Sequence, residues 1–283
     1  MAGTLYLCAT PIGNLGDMSP RILETLRQAD LIAAEDTRNS LKLLNHFDIH
    51  TPMTSYHEFN KVEKAAVLIE QLRQGTNIAL ITDAGTPAIS DPGEVLVRMC
   101  MEAGISVTSL PGPCACITAL TLSGLPTRRF AFEAFLPTEK REREEILEEL
   151  KSETRTMILY EAPHRLKRTL EDLLEALGDR RVTLCRELTK KFETILPTTF
   201  SQALAMYERE DPRGEYVLVV EGRSRSSLKQ EQQTQWEAMS IGEHMKLYED
   251  RGMDHKEAMK QVARDRGVGK REIYRALLED GEE

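Results

Sequence analysis

The chain has 283 residues, 41% hydrophobic and 29% charged, which is typical of a soluble globular protein with room for two domains and a small appendage. No stretch approaches the ~20 apolar residues of a membrane span, and the five cysteines form no C-x-x-C pair, so we expect a cytoplasmic protein without a membrane anchor, disulfide framework or metal site. The net charge of −9 argues against nucleic-acid binding over the whole surface.

Residues 1–118 alternate between short apolar strands and helices, which predicts an α/β domain. Ser19 and Pro20 suit the N-cap and first position of a helix that runs to Gln28. The further predicted elements are strands Thr4–Ala9, Leu31–Ala34, Asn77–Thr82 and Ile105–Leu110, and helices Lys61–Gln74 and Glu94–Ala103. This alternation favours a parallel sheet covered on both faces, with its ligand site beyond the carboxyl ends of the strands.

The pattern starts again after Pro126 and predicts a second α/β domain over residues 119–222. Its predicted elements are strands Phe130–Leu136, Thr156–Tyr160, Val182–Arg186, Glu193–Leu196 and Tyr216–Glu221, and helices Glu139–Lys151 and Arg165–Leu177. Residues 223–235 are polar and predict a linker, and residues 236–283 predict a helical tail.

Three loops at predicted strand ends are candidates for ligand binding. Residues 9–17 (A-T-P-I-G-N-L-G-D) fit either a close approach of a ligand to the backbone or a simple tight turn. Residues 83–93 (D-A-G-T-P-A-I-S-D-P-G) form a loop longer than the usual two to six residues or so, which favours a functional role. Residues 110–116 (L-P-G-P-C-A-C) open a helix of small residues, against which a flat ligand could lie.

These loops, together with A-E-D-T-R (34–38) and R-E-L-T-K (186–190), resemble the tetrapyrrole-methylase family, in which the motifs occur in this order. The resemblance implies two α/β domains of the tetrapyrrole-methylase type with a small C-terminal helical region. It also implies S-adenosyl-L-methionine as cofactor, a homodimer, and 2′-O-methylation of a cytidine in 16S rRNA of the small ribosomal subunit. A methyltransferase acting on a tetrapyrrole-like small molecule, and a non-catalytic RNA-binding module, remain alternatives.

The resemblance also assigns cofactor contacts by position. The implied contacts are Ile12, Asp83, Ala84, Gly85, Thr86, Ile89, Cys114, Ala115, Glu161 and Leu188. Ala84-Gly85-Thr86 stands where the family has G-G-D, so the hydrogen bond expected from that acid would have to come from Thr86 or Asp83.

Activation of a ribose hydroxyl calls for a base or a charged partner near the methyl donor. Glu187 and Lys190 end a predicted strand at the cleft and are the first candidates, followed by Asp36, which could instead cap the helix after it. Glu35, His57 and His164 are further candidates, and Glu187 could instead pair with Arg186 in a structural ion pair.

The candidates for RNA contact are basic side chains. Arg38 and Arg165 suit phosphate, because a guanidinium binds phosphate in a forked geometry. In the tail, residues 256–275 carry seven Lys or Arg against three acids, a net +4. Helix–turn–helix spacing there places Ala263, Val268 and Ile273 inside and Lys270, Arg271 and Arg275 outside. RNA contact and dimer packing remain alternative roles for this tail.

Overall fold

The computed structural model describes residues 2–279 of the chain. It forms two compact units: the chain up to Glu148 together with Arg155–Glu221, and Glu149–Thr154 together with the chain from Gly222 onward. Within the described residues, no helix is long and apolar enough to span a membrane.

The first unit begins with a five-stranded parallel sheet of order β3-β2-β4-β1-β5. Its strands are β1 Thr4–Cys8, β2 Leu31–Ala34, β3 Met53–Ser55, β4 Ile78–Ile81 and β5 Ser106–Leu110. The helices are α1 Pro20–Gln28, α2 Thr37–His46, α3 Lys61–Arg73, α4 Gly93–Glu102 and α5 Ala115–Leu122. Separate buried clusters cover the two faces of the sheet, one containing Leu68 and Leu96 and the other Ile22 and Leu26, as the apolar strands predict.

The second sheet of this unit has the order β6-β7-β10-β8-β9 and is mixed. Its strands are β6 Phe130–Phe135, β7 Thr156–Glu161, β8 Arg181–Arg186, β9 Thr194–Thr199 and β10 Tyr216–Val220, and its helices are α6 Lys140–Leu150, α7 Pro163–Leu177 and α8 Phe200–Tyr207. β6 and β7 are parallel, whereas β10 runs antiparallel to both β7 and β8. The predicted domain boundary at residues 118–119 falls inside α5, whose Ala119 and Leu120 pack with Ile158 and Val217 of the second sheet.

The second unit is helical and corrects one sequence-based prediction. Its helices are α9 Arg225–Glu237, α10 Ile241–Glu249, α11 His255–Arg266 and α12 Lys270–Glu279. The segment 223–235, predicted as a linker, lies largely in α9, because Ser224 caps the helix and Gln-rich sequence without proline or glycine propagates it. Met245, Met259, Val262 and Ile273 form the core of this unit.

The turn of the predicted helix–turn–helix is present, with one difference in burial. Gly267 ends α11 in the left-handed conformation at φ +67°, and α12 begins at Lys270. Ala263 and Ile273 are buried as expected, but Val268 is 38% exposed because it lies in the turn rather than on a helix face.

Candidate active site

One cavity of about 570 Å³ lies within the first unit, where the loops after β1, β4 and β5 approach the ends of β7 and β8. All ten residues that the sequence assigned to the cofactor line it: Ile12, Asp83, Ala84, Gly85, Thr86, Ile89, Cys114, Ala115, Glu161 and Leu188. Residues from five separate stretches of chain thus come together at one site, which is the usual place for a ligand in an open α/β sheet. Their individual contacts with a cofactor stay predictions.

Gly85 joins the three first-domain loops at the cavity wall. Its backbone exchanges hydrogen bonds with Thr10 at 2.8 and 3.1 Å and has a φ of +89°. A Cβ at this position would lie 3.3 Å from Ile12 Cγ2 and 3.6 Å from the Pro113 carbonyl oxygen. The site therefore uses a glycine both for its backbone conformation and to keep this wall open.

Carboxylates in the loops after β2 and β4 form a polar wall of the cavity. Glu35, Asp83 and Asp91 all line the cavity, and Thr82 donates a 2.6 Å hydrogen bond from its hydroxyl to Glu35. Burial, followed in part by the charge of Glu35, raises the pKa values of Asp83 and Asp91. Within the described part of the chain, Asp91 Oδ2 is buried without a hydrogen-bond partner, so a polar group of a ligand would satisfy it.

Thr86 and Asp83 are the two residues that could take the place of the missing acid of G-G-D. The Thr86 hydroxyl donates to the Pro113 carbonyl at 2.9 Å, so its proton is already engaged. Asp83 Oδ1 accepts the backbone N–H of Asp36 at 3.1 Å, while the residue remains exposed at the cavity.

Lys190 and Glu187 form the charged feature on the second-domain side. Lys190 Nζ lies 3.0 Å from Glu187 Oε1 and 2.7 Å from Glu215 Oε2, and Lys190 lines the cavity. Burial alone would lower the pKa of Lys190, but its bonds to Glu215 and Glu187 outweigh burial and raise it. Burial opposes ionisation of Glu187, yet the Glu215 N–H and Lys190 lower its pKa overall. At neutral pH this is an ammonium held by carboxylates, and Lys190 has no lone pair with which to act as a base.

The loop that carries these charges is held in a strained conformation. Glu187 and Thr189 have φ values of +52° and +65°, and Ala88 and Ser90 in the loop after β4 are also left-handed, at +68° and +63°. Non-glycine residues in this region cost free energy and cluster at functional sites. Gly13 explains how the loop packs: a Cβ there would lie 2.3 Å from Lys190 Cγ and 3.1 Å from the Leu188 carbonyl oxygen.

Asp36 and Arg38, predicted as catalytic and RNA-binding respectively, are joined to each other outside the cavity lining. Asp36 Oδ1 accepts the backbone N–H of Arg38 at 2.8 Å at the start of α2, and the guanidinium lies 2.8 Å from Oδ2. The Arg38 hydrogen bonds lower the pKa of Asp36 to about 2. This geometry favours the capping alternative for Asp36, whereas the Arg38 side chain remains 88% exposed to solvent.

Arg165 and Glu161 belong to a buried network. Glu161 Oε1 accepts the backbone N–H of Ala162 at 2.9 Å and lies 3.4 Å from Arg165 Nε, while Thr169 donates its hydroxyl to Oε2. Arg165 also donates to the carbonyl of Leu136. These bonds leave little of the Arg165 guanidinium for phosphate and favour a structural role.

The cavity also includes side chains that the sequence did not single out. Tyr160 lines it and accepts the backbone N–H of Cys116 through its hydroxyl at 3.1 Å, and Phe135 and Tyr216 also belong to the lining.

The two cysteines at the start of α5 form a hydrogen bond with each other. Cys114 and Cys116 have their sulfur atoms 3.3 Å apart, and this hydrogen bond lowers the pKa of Cys114 to about 6. Among the described residues, no group of three or more acidic, histidine or cysteine side chains is arranged to hold a metal ion.

Comparison with known proteins identifies the class. Residues 4–204 match the family model for Tetrapyrrole (Corrin/Porphyrin) Methylases. Diphthine synthase shares the fold at a TM-score of 0.60 and 14% identity, over 77% of this chain and 90% of that one. Uroporphyrin-III C-methyltransferase from Thermus thermophilus, complexed with S-adenosyl homocysteine, does so at a TM-score of 0.51 and 16% identity, over 76% of this chain and 92% of that one. The predicted fold class is thereby confirmed.

Closer relatives narrow the family. The chain is 51% identical to ribosomal RNA small subunit methyltransferase I of Halalkalibacterium halodurans. The alignment spans 272 residues, which are 96% of this chain and 93% of the relative. It is 47% identical to the protein of that name in Bacillus subtilis, over 97% of this chain and 94% of the relative. The chain therefore belongs to the ribosomal RNA small subunit methyltransferase I family within the tetrapyrrole methylases.

Proposed function

We propose that this protein transfers a methyl group from S-adenosyl-L-methionine to the 2′-hydroxyl of a cytidine in 16S rRNA of the small ribosomal subunit. The observation that carries the proposal is 51% identity over 96% of the chain to a relative named as a small-subunit rRNA methyltransferase. The lysine ammonium at the edge of the cavity supports a hydroxyl as the acceptor, since negative charge develops on that oxygen during transfer.

The methyl donor is S-adenosyl-L-methionine, the cofactor predicted from the sequence and confirmed by membership of this methylase family. When bound, it supplies an electrophilic methyl group carried on a positively charged sulfur. The site fits this group: Gly85, Ala84 and Ala115 leave room along the backbone, and the carboxylates of Glu35 and Asp91 give the cavity a negative wall for a cation. The unpartnered Asp91 Oδ2 is available for a polar group of the ligand.

We assign the activation of the ribose hydroxyl to Lys190. Its ammonium stabilises negative charge on the attacking ribose oxygen and so lowers the pKa of that hydroxyl, whose proton leaves to solvent. Glu187 and Glu215 hold the ammonium in place at 3.0 and 2.7 Å and keep it protonated. Glu187 thus serves as a positioning residue rather than as the base. We assign Asp36 to helix capping.

The RNA is expected to be held by charges outside the cavity. Arg38 is exposed near the carboxyl edge of the first sheet, and Lys270, Arg271 and Arg275 are all exposed on α12. We further expect a homodimer in the cytoplasm, which is where a ribosomal substrate would be met.

Tritium transfer tests this proposal. Purified protein with tritiated S-adenosyl-L-methionine should label the rRNA of 30S subunits or free 16S rRNA, and should leave a uroporphyrinogen-type tetrapyrrole unlabelled. Label in the tetrapyrrole alone would favour the small-molecule alternative, and cofactor binding without transfer to either would favour a non-catalytic module.

A further inference from the structure

A second concave site is lined by Glu187, on the same strained loop as Lys190 of the cavity. It is a groove of about 740 Å³ in the first unit, lined among others by Arg186, Phe192, Arg209 and Arg213. We call the site that these four residues line the arginine groove. No motif in the sequence pointed to it, because Arg209 and Arg213 lie in a polar stretch between α8 and β10.

The charges in the groove are only partly balanced. Of the three carboxylates in its lining, Glu187 is held by Lys190 at 3.0 Å and Asp211 lies 3.2 Å from Lys167, which leaves Glu210. Within residues 2–279, the guanidiniums of Arg209 and Arg213 have no hydrogen-bond or ion-pair partner, and both residues are exposed. Arg186 Nε is buried and likewise unpartnered in the described chain. Burial of an unsatisfied guanidinium N–H is costly, so a bound anion would stabilise it.

An aromatic side chain lies at the same groove. Phe192 is 65% exposed, and Lys191 Nζ lies 5.6 Å from the centre of its ring. Arg186 Nη2 donates to the Phe192 carbonyl at 3.4 Å, which ties the aromatic residue to the arginines. Arginines for phosphate beside an open ring for stacking are the combination that binds single-stranded nucleic acid.

The groove is built on the same support as Lys190. The backbone of Glu187 donates to the Glu215 carbonyl at 3.0 Å, and the Glu215 N–H returns a 2.9 Å bond to Glu187 Oε1. Gly214, at φ +77°, packs so closely that a Cβ would lie 2.7 Å from Glu187 Cδ. Glu187 lines the groove and Lys190 lines the cavity, so the two sites share one rigid ion pair.

We propose that the arginine groove binds the RNA strand next to the nucleotide that is methylated. Phosphates bind Arg186, Arg209 and Arg213, and a flanking base stacks on Phe192. The inference rests on the proposed function, since it takes the nucleic acid at Lys190 to be RNA, and it assigns to that substrate a binding site outside the tail.

The test compares two double variants of the full chain. Arg209→Ala/Arg213→Ala removes two groove charges, and Arg21→Ala/Arg98→Ala removes two exposed charges elsewhere on the first unit. Binding of a fluorescein-labelled single-stranded oligoribonucleotide is followed by anisotropy at several salt concentrations. The groove variant should bind about tenfold more weakly at low salt, and its log–log salt slope should fall by about 1.4, since single strands contribute about 0.7 per phosphate contact. The control pair should match the wild type.

Phe192→Ala and Phe192→Trp separate stacking from charge. The alanine variant should lose about tenfold in affinity, which corresponds to about 1.4 kcal/mol, with an unchanged salt slope, because it loses the stacked base but no charge. The tryptophan variant should bind as tightly as the wild type. Calorimetry with S-adenosylhomocysteine checks that every variant keeps a folded cofactor site. The inference is overturned if Arg209→Ala/Arg213→Ala and Phe192→Ala both bind the oligonucleotide and methylate rRNA as the wild type does. If the groove variants lose RNA affinity as described but the wild type labels no rRNA, the groove is still an RNA-binding site, whereas the proposed function fails and with it the placement of the groove beside a methylated nucleotide.

Discussion

The proposed activation of the ribose hydroxyl depends on one residue, Lys190, and on its protonation state. The sequence placed Glu187 and Lys190 together at a strand end but left open which of them acts on the hydroxyl. The structure orders them: the carboxylates of Glu187 and Glu215 raise the pKa of the lysine, and the lysine lowers that of Glu187 in return. Charge stabilisation, not proton abstraction by lysine, is the chemistry that this pairing supports.

Replacement of Lys190 by methionine keeps most of the side-chain volume and removes the charge. We expect kcat for rRNA methylation to fall about 10²–10³-fold, the usual cost of removing one group that stabilises an oxyanion. The affinity for S-adenosylhomocysteine in calorimetry should change little. Lys190→Arg should recover part of the rate, and Lys42→Met, at an exposed lysine of α2, should have no effect.

The pH profile gives an independent check on the same residue. Glu215→Gln removes a negative partner, which lowers the pKa of Lys190, so the alkaline limb of kcat should move to lower pH than in the wild type. A rate that instead rises as Lys190 loses its proton would show that the lysine acts as a base.

Among the elements, loops at strand ends form the cavity in which we propose that the cofactor binds. Ala84 lines the cavity on the loop after β4 and, unlike Gly85, does not have a positive φ, so a larger side chain can be introduced without backbone strain. Ala84→Leu should weaken S-adenosylhomocysteine binding by about tenfold or more, since overfilling a packed site costs about 1–3 kcal/mol. Ala205→Leu, exposed on α8, is the matched control. Equal affinities and melting temperatures for the two variants would place the cofactor elsewhere.

The elements also show what the sequence could and could not supply. Ser19 and Pro20 fixed the start of α1 to the residue, because capping depends on neighbouring side chains alone. Strand direction is different. Apolar runs do not encode whether a strand is parallel, and β10 is antiparallel to both neighbours, which brings its first residue, Tyr216, beside Glu161 and Arg186 at the ends of theirs. Glu215, just before that strand, reaches Lys190 for this reason and was missed.

The prediction of a linker over residues 223–235 is wrong, because most of the segment is helical. Polar composition alone does not indicate an irregular chain, because helix propensity depends on backbone entropy and capping rather than on hydrophobicity. The ten cofactor contacts that the motifs predict all line one cavity. Arg165 instead has partners within the protein, Glu161 and Leu136, which only the tertiary structure reveals.

For the molecule as a whole, we propose that RNA binding is divided between the first unit and the tail. The triple variant Lys270→Ala/Arg271→Ala/Arg275→Ala removes exposed charges from α12 without touching the core residue Ile273. We expect rRNA methylation at low salt to fall about tenfold or more, with cofactor affinity unchanged, and the difference from the wild type to shrink at high salt. A triple variant at Arg21, Lys42 and Arg98 controls for net charge.

The same triple variant is preferable to truncation after Gly222. Residues Glu149–Thr154 belong to the compact unit of the tail, and the backbone of Arg223 donates to the Glu153 carbonyl, so truncation would also disturb the end of α6. Unchanged methylation by the triple variant, together with a change from dimer to monomer in light scattering, would assign the tail to dimer packing instead.

We propose that the methyl group is transferred to a ribose oxygen of rRNA, and nucleoside analysis distinguishes this acceptor from a base. Small subunits labelled by the wild type with tritiated S-adenosyl-L-methionine are digested to nucleosides and separated by chromatography with mass detection. We expect the label to elute as 2′-O-methylcytidine from a single position of 16S rRNA, and Lys190→Met to reduce it strongly. Label in a base-methylated nucleoside would contradict ribose methylation and the role proposed for Lys190, because the acceptor would then not be a ribose hydroxyl.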